Sequence, residues 1–484
     1  MKFASPIPIL LPALVLSLAS CNLLSPTADV VSSRDCTVPT VAAGFTRIFI
    51  GLPAPGGKQS GTSAGDPLDG STADKFDTIL RTIAEGQQPT WGAQKNIPPE
   101  NLVVCMTSGT FQTNGQYDWV IDQGHILGAS RGFTVEKNWK IHGNGVNQTK
   151  LELASFLTDQ FIDNNGSSFN GGHNVVIGTH SDNASGVEIS DLTIDAKHDH
   201  LTPINGLPLN LEGIVLRSFQ GNHWVHNVKI IGASGDAGAR NIQYEGFAVR
   251  IWGSDPLANP NTSSDNLVEN VIVSQPGRAM IGDSPVGGAM DGIVVNNASA
   301  EIRNNDVDGY AIGYGGWAMG TVSFHDNTSH DTVYGFNVDS FSNNGITLQS
   351  NQFTHPVLYG IVIGGPSAQQ SFSNWSVNNN TITLNTSGTL GLALGGQVQN
   401  SSFTGNTIQV DNKSAQNLRG ILSFSESSNV SNFNNIFQDN HIDGSMNIDF
   451  SQDPNFNTNC RFQNRDLKGQ PLPSFPDNHS RVCD

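Results

Sequence analysis

Two short signals alternate from about Asp191 to Asn440, and they constrain the fold more than any other feature of the chain. One is a glycine opening a short apolar strand: Gly213, Gly246, Gly292, Gly313, Gly335, Gly360, Gly391 and Gly420. The other is an Asn, once an Asp, beside a β-branched or apolar residue: Asp191, Asn227, Asn270, Asn305, Asn327, Asn351, Asn380, Asn406 and Asn440. The step between successive Asn signals varies but is never shorter than 22 residues, so one minimal coil recurs with insertions in some copies. Such a period marks a stacked repeat, a β-solenoid, rather than a closed globule. One coil has too little apolar surface for its own core, but stacking at roughly 4.8 Å puts each amide and carbonyl into a parallel ladder. The residues one and three places after the glycines are apolar, as an inward face requires: Ile214 and Leu216, Phe247 and Val249, Ile293 and Val295, Phe336 and Val338, Ile361 and Ile363. Asn tolerates turn conformations and bonds well to its own kind one coil away, so the Asn column reads as an internal ladder. These residues are scaffold.

Residues 1–20 have the form of a targeting segment, with Lys2, an apolar run from Ile7 to Leu18, and Leu18-Ala19-Ser20-Cys21 at its end. The run is too short to span a bilayer and contains Pro8 and Pro12. Its end resembles the lipobox of bacterial lipoprotein signal peptides. That resemblance implies cleavage before Cys21, lipid on its sulfur and anchoring in the bacterial cell envelope. An ordinary secretory signal before a coincidental Cys is the competing reading. Asn22 is not the Asp associated with inner-membrane retention, so the outer membrane is the expected location. Residues 21–40 then form a polar tether.

The net charge is −18, only 14% of residues are charged, and no basic block or aromatic–basic interleaving occurs, which excludes nucleic acid as a partner. With Cys21 assigned to lipid, Cys36, Cys105, Cys460 and Cys483 remain, and four cysteines allow three pairings. The simplest is Cys36–Cys105 at one end and Cys460–Cys483 at the other, stapling the solenoid's termini in an oxidising compartment. A monomer is expected.

Ser71-Thr-Ala-Asp74 looks like a capping box, and Phe76, Ile79, Leu80 and Ile83 follow at helical spacing, predicting an amphipathic helix over Thr72–Glu85 that covers the open end. Asp69-Gly-Ser-Thr-Ala-Asp74, then Gly109-Thr-Phe111, then Trp139-Lys-Ile-His-Gly-Asn-Gly145 with Thr149, resembles the N-terminal module of pectate-lyase-superfamily proteins. With the coils, the resemblance covers roughly Gly65 to Asp449. It implies an all-β, right-handed parallel β-helix with an N-terminal capping α-helix, in a group rich in polysaccharide lyases and glycoside hydrolases. The expected layout is cap and first coils over 41–155, β-helix over 156–450 and a disulfide-tied tail over 451–484. The site motifs of polygalacturonases, pectate lyases and alginate epimerases are missing, so a site must be sought in columns of side chains.

Aligning coils on the glycines gives three columns. Four places after the glycine lie Arg217, Arg250, Asn296, Trp317 and Asp339, a candidate sugar-binding strip in which Trp stacks on rings and Arg grips carboxylates. Solvent-facing decoration is the bland alternative. Near the Asn slot lie Asp308, His330, Asp331 and His355, with Tyr310, Tyr334 and Tyr359 nearby. These are groups that proton abstraction from a sugar or acid-assisted bond cleavage would use. Before the glycines lie Glu212, Glu245 and Asp291; stacked carboxylates repel unless they share a proton or a cation, which makes Ca²⁺ the candidate. For these two sets, polar turn residues are the bland alternative. His198, Asp199 and His200 lie in a loop with too few fixed ligands for a metal. The expected function is an extracytoplasmic lipoprotein that binds and cleaves a polysaccharide by β-elimination or hydrolysis. A non-catalytic adhesin or glycan-binding module is the alternative from another class, and a polymer-level sugar epimerase is a third.

Overall fold

One coil shows how the chain is built. In the computed structural model, strand Met290–Asn296 ends at Asn297, whose φ of 48° turns the chain into strand Ala298–Arg303. Asn304, at φ 54°, turns it again into Asp306–Asp308, and Gly309 returns it to Ile312–Trp317, the matching strand of the next coil. All three corners use the left-handed region, which Asn enters more readily than other non-glycine residues. Equivalent strands of successive coils pair in parallel, and the whole is an all-β, right-handed parallel β-helix.

The structure describes residues 34–38, 40–53, 57–87, 97–118, 120–121, 125–126, 129–130, 132–155, 160–162, 168–170, 173–179, 183–197, 210–233, 246–253, 263–274, 280–281, 284–285, 290–338, 343–364, 371–424, 432, 434–443, 446, 448–452, 459–472 and 481–482. Among these, a 12-stranded sheet holds the glycine-opened strands, and a 24-stranded sheet holds the strands on both sides of the Asn corner. A small third sheet joins Asn343–Asn344, Ser371–Ser373 and Gln397–Gln399 in the later coils. The core between the sheets is one continuous apolar column.

Close approach explains the glycines. A Cβ on Gly335 would lie 2.5 Å from the Gly360 carbonyl oxygen and 2.6 Å from the Phe353 ring of the opposing sheet. The column is Gly213, Gly292, Gly313, Gly335, Gly360 and Gly391, but its second position belongs to Ala248, because Ile214 pairs with Val249. Gly246 therefore sits two residues out of line. The inward pair of its coil is Val249 and Ile251, and Phe247 faces outward, where its ring meets Trp317. The other expected inward residues are all in the core.

The Asn column is a ladder from Asn305 onward. Asn327 donates both its backbone N–H (3.1 Å) and its Nδ2 (3.0 Å) to Asn351 Oδ1, while its Nδ2 also reaches the Ile302 carbonyl at 2.8 Å. The same pattern repeats through Asn351, Asn380, Asn406 and Asn440, and it ends on Asn464, one rung beyond the last signal read in the sequence. Asp191, Asn227 and Asn270 are not rungs. They are themselves the left-handed corner residues, at φ 58°, 51° and 53°; Asn227 Nδ2 donates back to Asp191 Oδ1 at 3.3 Å, opposite in sense to the later ladder, and it is the backbone N–H of Val271 that donates to Asn305.

Both ends are covered. Helix Ala73–Ala84 begins after Thr72, whose hydroxyl accepts from the Lys75 N–H, and buries Phe76, Ile79, Leu80 and Ile83; Phe76 packs on Phe111 and Phe133. Burial pushes its Asp77 carboxyl up to about 6, despite hydrogen bonds from Thr113 Oγ1 (2.6 Å) and the Asn114 N–H (2.8 Å). The helix thus grips the first coils through a buried polar bond as well as its apolar stripe. At the other end, strands Cys460–Phe462 and Arg465–Asp466 extend the stack, and Arg481–Val482 pairs on the outer edge, where an open strand would recruit other chains. Cys36 and Cys105 form a disulfide closing a separation of 69 residues. Cys483 and the side chain of Cys460 lie outside the described residues, as does Cys21.

The ladder predicts a position-dependent cost. Asn351→Ala removes four hydrogen bonds, strips the Asn327 N–H and the Phe324 carbonyl of their Asn351 side-chain partner, and should lower stability by about 2–4 kcal/mol, at about 1–3 kcal/mol per unsatisfied group. Asn464→Ala, at the half-buried last rung, should cost less than half of that in denaturant unfolding. Equal losses at the two positions would mean that the ladder bonds are not what holds the corner.

Candidate functional site

Register decides which outward side chains meet. Arg217 pairs with Trp252, Trp252 with Asn296, and Asn296 with Trp317, so the strip expected from glycine alignment exists with Trp252 in place of Arg250. Arg250 lies two residues back, between Val215 and Val294. Asp339 lies outside the described residues.

Arg250 is nevertheless at the centre of the group. Its guanidinium lies 3.8 Å from the Trp252 ring centroid, 4.5 Å from that of Phe247 and 5.3 Å from that of Trp317. The amide oxygen of Asn296, turned toward it, accepts from Nε at 2.8 Å and Nη2 at 3.1 Å. The Arg217 guanidinium lies 5.1 Å from the Trp252 ring centroid. An indole within reach of two guanidinium groups is a strong cation–π arrangement when desolvated. It is desolvated here: Arg250 is 6% exposed, Arg217 9% and Asn296 0%. The expected open strip is instead a buried cluster on the outer face of the sheet.

The carboxylate column changes with the same register shift. Phe247 pairs with Asp291, so Phe247, not Glu245, stands between the coils of Glu212 and Asp291. Glu245 itself lies outside the described residues, as do His198, Asp199 and His200. Among the described residues, no carboxylate stands between Glu212 and Asp291 to share a Ca²⁺ with them. Glu212 and Asp291 are both buried on the face that carries the arginines, with an aromatic spacer between them. The coils holding Glu212 and Asp291 are long, with 36 residues from Asp191 to Asn227 and 34 from Val271 to Asn305, against 22 from Asn305 to Asn327; Asn406 to Asn440 is also 34.

The acid and histidine set splits into two columns at the corner before the glycine sheet. Asp308 pairs with His330 and His330 with Thr354, whereas Asp331 and His355 occupy the left-handed corner beside Gly309's position, at φ 52° and 54°. His330 Nε2 is 3.2 Å from Asp306 Oδ1, and His355 Nε2 is 2.6 Å from Asp411 Oδ2, with Asp331 3.9 Å from its other nitrogen. The Asp306 hydrogen bond raises the His330 pKa against the effect of burial, helped by the charges of Asp308 and Asp331. Burial pushes the Asp306 carboxyl up, but the bonds from His330 and Thr328 outweigh it and hold it low. Half-buried Tyr334 and Tyr359 stack face to face at 5.6 Å. Tyr310 does not join them: it is fully buried, and its hydroxyl donates to the Ala233 carbonyl at 2.8 Å.

The residues missed by sequence reasoning are Trp252, Phe247, Asp306 and Asp411. The alternation of Val249 and Ile251, β-branched like Ile214 on the inward face, was the signal that would have placed Trp252 opposite Arg217. Asp411 meets His355 across 56 residues, and no local pattern marks it. Among the described residues, Asp35, His142 and Glu188 are the carboxylate–histidine group placed to hold a metal.

No family model and no curated protein matches the chain. Among solved structures it is similar to the A-module of the mannuronan C-5 epimerase AlgE4 of Azotobacter vinelandii, at 12% identity and a TM-score of 0.45, covering 79% of this chain and 91% of that one. It is also similar to the catalytic domain of a GH87 α-1,3-glucanase in complex with nigerose, at 12% identity and a TM-score of 0.48, covering 85% of this chain and 66% of that one. A third is the catalytic unit of the thermostable GH87 α-1,3-glucanase of Streptomyces thermodiastaticus strain HF3-3, at 13% identity and a TM-score of 0.42, covering 79% and 62%.

The His330–Asp306 pair predicts a pH signature. The histidine pKa is raised by folding, so the pair's contribution is complete below the unfolded value of about 6.5 and is lost as pH rises through the folded one. Proton NMR should show a His330 midpoint above that of an ordinary histidine, moving down in Asp306→Asn. A midpoint unmoved by that substitution would remove Asp306 as the cause.

Proposed function

We propose that this chain binds a polysaccharide over the coils carrying Arg217, Arg250 and Trp252 and cleaves it there. The observation that carries the reading is charge buried on the outside of a solenoid. Stacking coils needs no arginine or carboxylate on that face, yet Glu212, Asp291, Arg217 and Arg250 are all nine-tenths or more buried there. They sit among aromatic rings, in the coils with the long insertions. Buried charge concentrated beside inserted loops is the mark of a working site. In this reading the guanidinium groups hold carboxylate or hydroxyl groups of the glycan, half-buried Trp317 stacks on a sugar ring, and Glu212 and Asp291 act as acid and base. The corner set of Asp308, His330, Asp331 and His355 then lies beside the bound polymer and contacts it, with the stacked tyrosines as a platform.

The test is a screen of the full chain against uronate-containing and neutral polysaccharides. Unsaturated ends are followed by ultraviolet absorbance and reducing ends in parallel. Unsaturated product identifies a lyase, and reducing ends alone a hydrolase. Glu212→Gln and Asp291→Asn should each cut turnover by about 100-fold or more, the usual worth of a positioned acid or base, while glycan binding persists. Loss of turnover in His330→Ala with full activity in Glu212→Gln would move the chemistry to the corner. Retention of a glycan with no turnover would leave a binding module, the second reading, which Tyr334 and Tyr359 favour.

The same proposal puts the protein on the bacterial outer membrane, held by lipid on Cys21 as a monomer. Metabolic labelling with a palmitate analogue should tag the wild type and not Cys21→Ser; a tag that survives the substitution would refute the anchor.

A further inference from the structure

At the N-terminal end, before the proposed glycan site in sequence, three segments bring unlike ligands together. His142 closes strand Lys140–His142 and pairs with Cys105 on one side and Ser190 on the other. Glu188 pairs with Lys140 on the same two strands. Asp35 comes from the short turn of helix Arg34–Thr37, whose Cys36 is bonded to Cys105, so the disulfide sets Asp35 over the His142 strand. One ligand atom from each of the three lies within 4.8 Å of the others.

The tautomer of His142 is decided by its neighbours. Its Nδ1 is 2.8 Å from Ser190 Oγ, which in turn is 2.7 Å from Asp191 Oδ2. The Asp191 carboxylate only accepts, so the Ser190 hydrogen goes to it, and Ser190 Oγ must accept from His142 Nδ1–H. In the neutral ring Nε2 is then left with its lone pair. It is fully buried, has no hydrogen-bond partner, and points toward Asp35 Oδ2 at 3.8 Å. A histidine whose far nitrogen is tied through a hydroxyl to a carboxylate, with its near nitrogen bare, is arranged as metal ligands are. A bare lone pair facing carboxylates is costly, and a cation between them removes the cost.

Lys140 shows that the place draws positive charge. Its ammonium lies 2.8 Å from Asp35 Oδ2 and 3.1 Å from Glu188 Oε2. It donates to the two carboxylates but offers nothing to His142 Nε2, which lacks a hydrogen-bond partner. A dication satisfies all three. We propose that Asp35, His142 and Glu188 bind one Zn²⁺-type dication, displacing the Lys140 ammonium to solvent and clamping the N-terminal segment onto the first coils. One nitrogen and two carboxylate oxygens suit Zn²⁺, at about 2.0–2.2 Å from each, better than they suit Ca²⁺, which takes six to eight oxygens. Side chains of Asp35 (26% exposed) and Lys140 (27%) have room for the exchange.

The experiment is calorimetric titration of chelator-stripped full chain with Zn²⁺, with elemental analysis of the dialysed protein and Co²⁺ absorption as a probe of geometry. One equivalent should bind, with a rise in thermal midpoint, and both should vanish in His142→Gln and in Asp35→Asn. The second substitution is at a part-exposed position and leaves the core intact if the first disturbs folding. Lys140→Met removes the competitor and should tighten binding at least tenfold. Failure of both wild type and Lys140→Met to bind one equivalent overturns the proposal, as does unchanged binding in His142→Gln. A stability that ignores Zn²⁺ but depends on His142 protonation would show an imidazolium–Asp35 pair instead, and would overturn it too.

Discussion

Every coil of this protein depends on the next one for its backbone hydrogen bonds. A strand of five residues stacked in parallel has no partner within its own coil, so the fold exists only as long as the corners repeat at the same height. Corner geometry is therefore the governing constraint. It is met by residues that enter the left-handed region cheaply and, from Asn305 onward, by a side-chain amide that ties one corner of each coil to those above and below. The apolar core follows from this: once the corners are in line, Ile214, Ile293, Phe336 and Ile361 stack on one another without further instruction.

The same constraint explains what was legible. The glycine and Asn signals are direct images of close approach and corner geometry, so the class of fold, the cap helix and the ladder from Asn305 to Asn440 were readable from sequence, but not where the ladder begins and ends. Lateral register was not. Gly246 carries the local look of its column, but the position is held by Ala248, and a shift of two residues keeps the inward and outward alternation while changing every neighbour. For that reason Arg250 was placed beside Arg217 when Trp252 stands there. The corner set failed differently: His330 and His355 are only one position apart in the repeat, and one of them is a strand residue while the other is a corner residue.

Burial then separates scaffold from site better than residue type does. Asn305 and Asn296 are both fully buried amides, but one bonds its own repeat and the other a guanidinium. Tyr310 and Tyr334 lie one coil apart in pattern, yet the first is a core residue bonded to a carbonyl and the second stacks in a half-open pair. Side chains that face out and are still buried, on coils lengthened by insertion, are the ones the repeat does not require.

The Asn ladder also has a direction. From Asn305 to Asn440 each rung gives two N–H groups toward the C-terminal neighbour and receives on its oxygen from the N-terminal one; Val271 gives a single backbone N–H at the start and Asn464 receives at the end. Its amide dipoles are aligned head to tail along the axis, so the solenoid is polar even where its surface is not. Adding or removing a whole coil inside the ladder leaves every remaining rung satisfied, whereas an Asp in place of Asn keeps its backbone N–H but loses the side-chain donor that reaches both the next rung and the preceding coil's carbonyl. Such a residue costs least at the last rung, which has no further rung to give to, and the ladder's own chemistry thereby limits how a protein of this kind can lengthen.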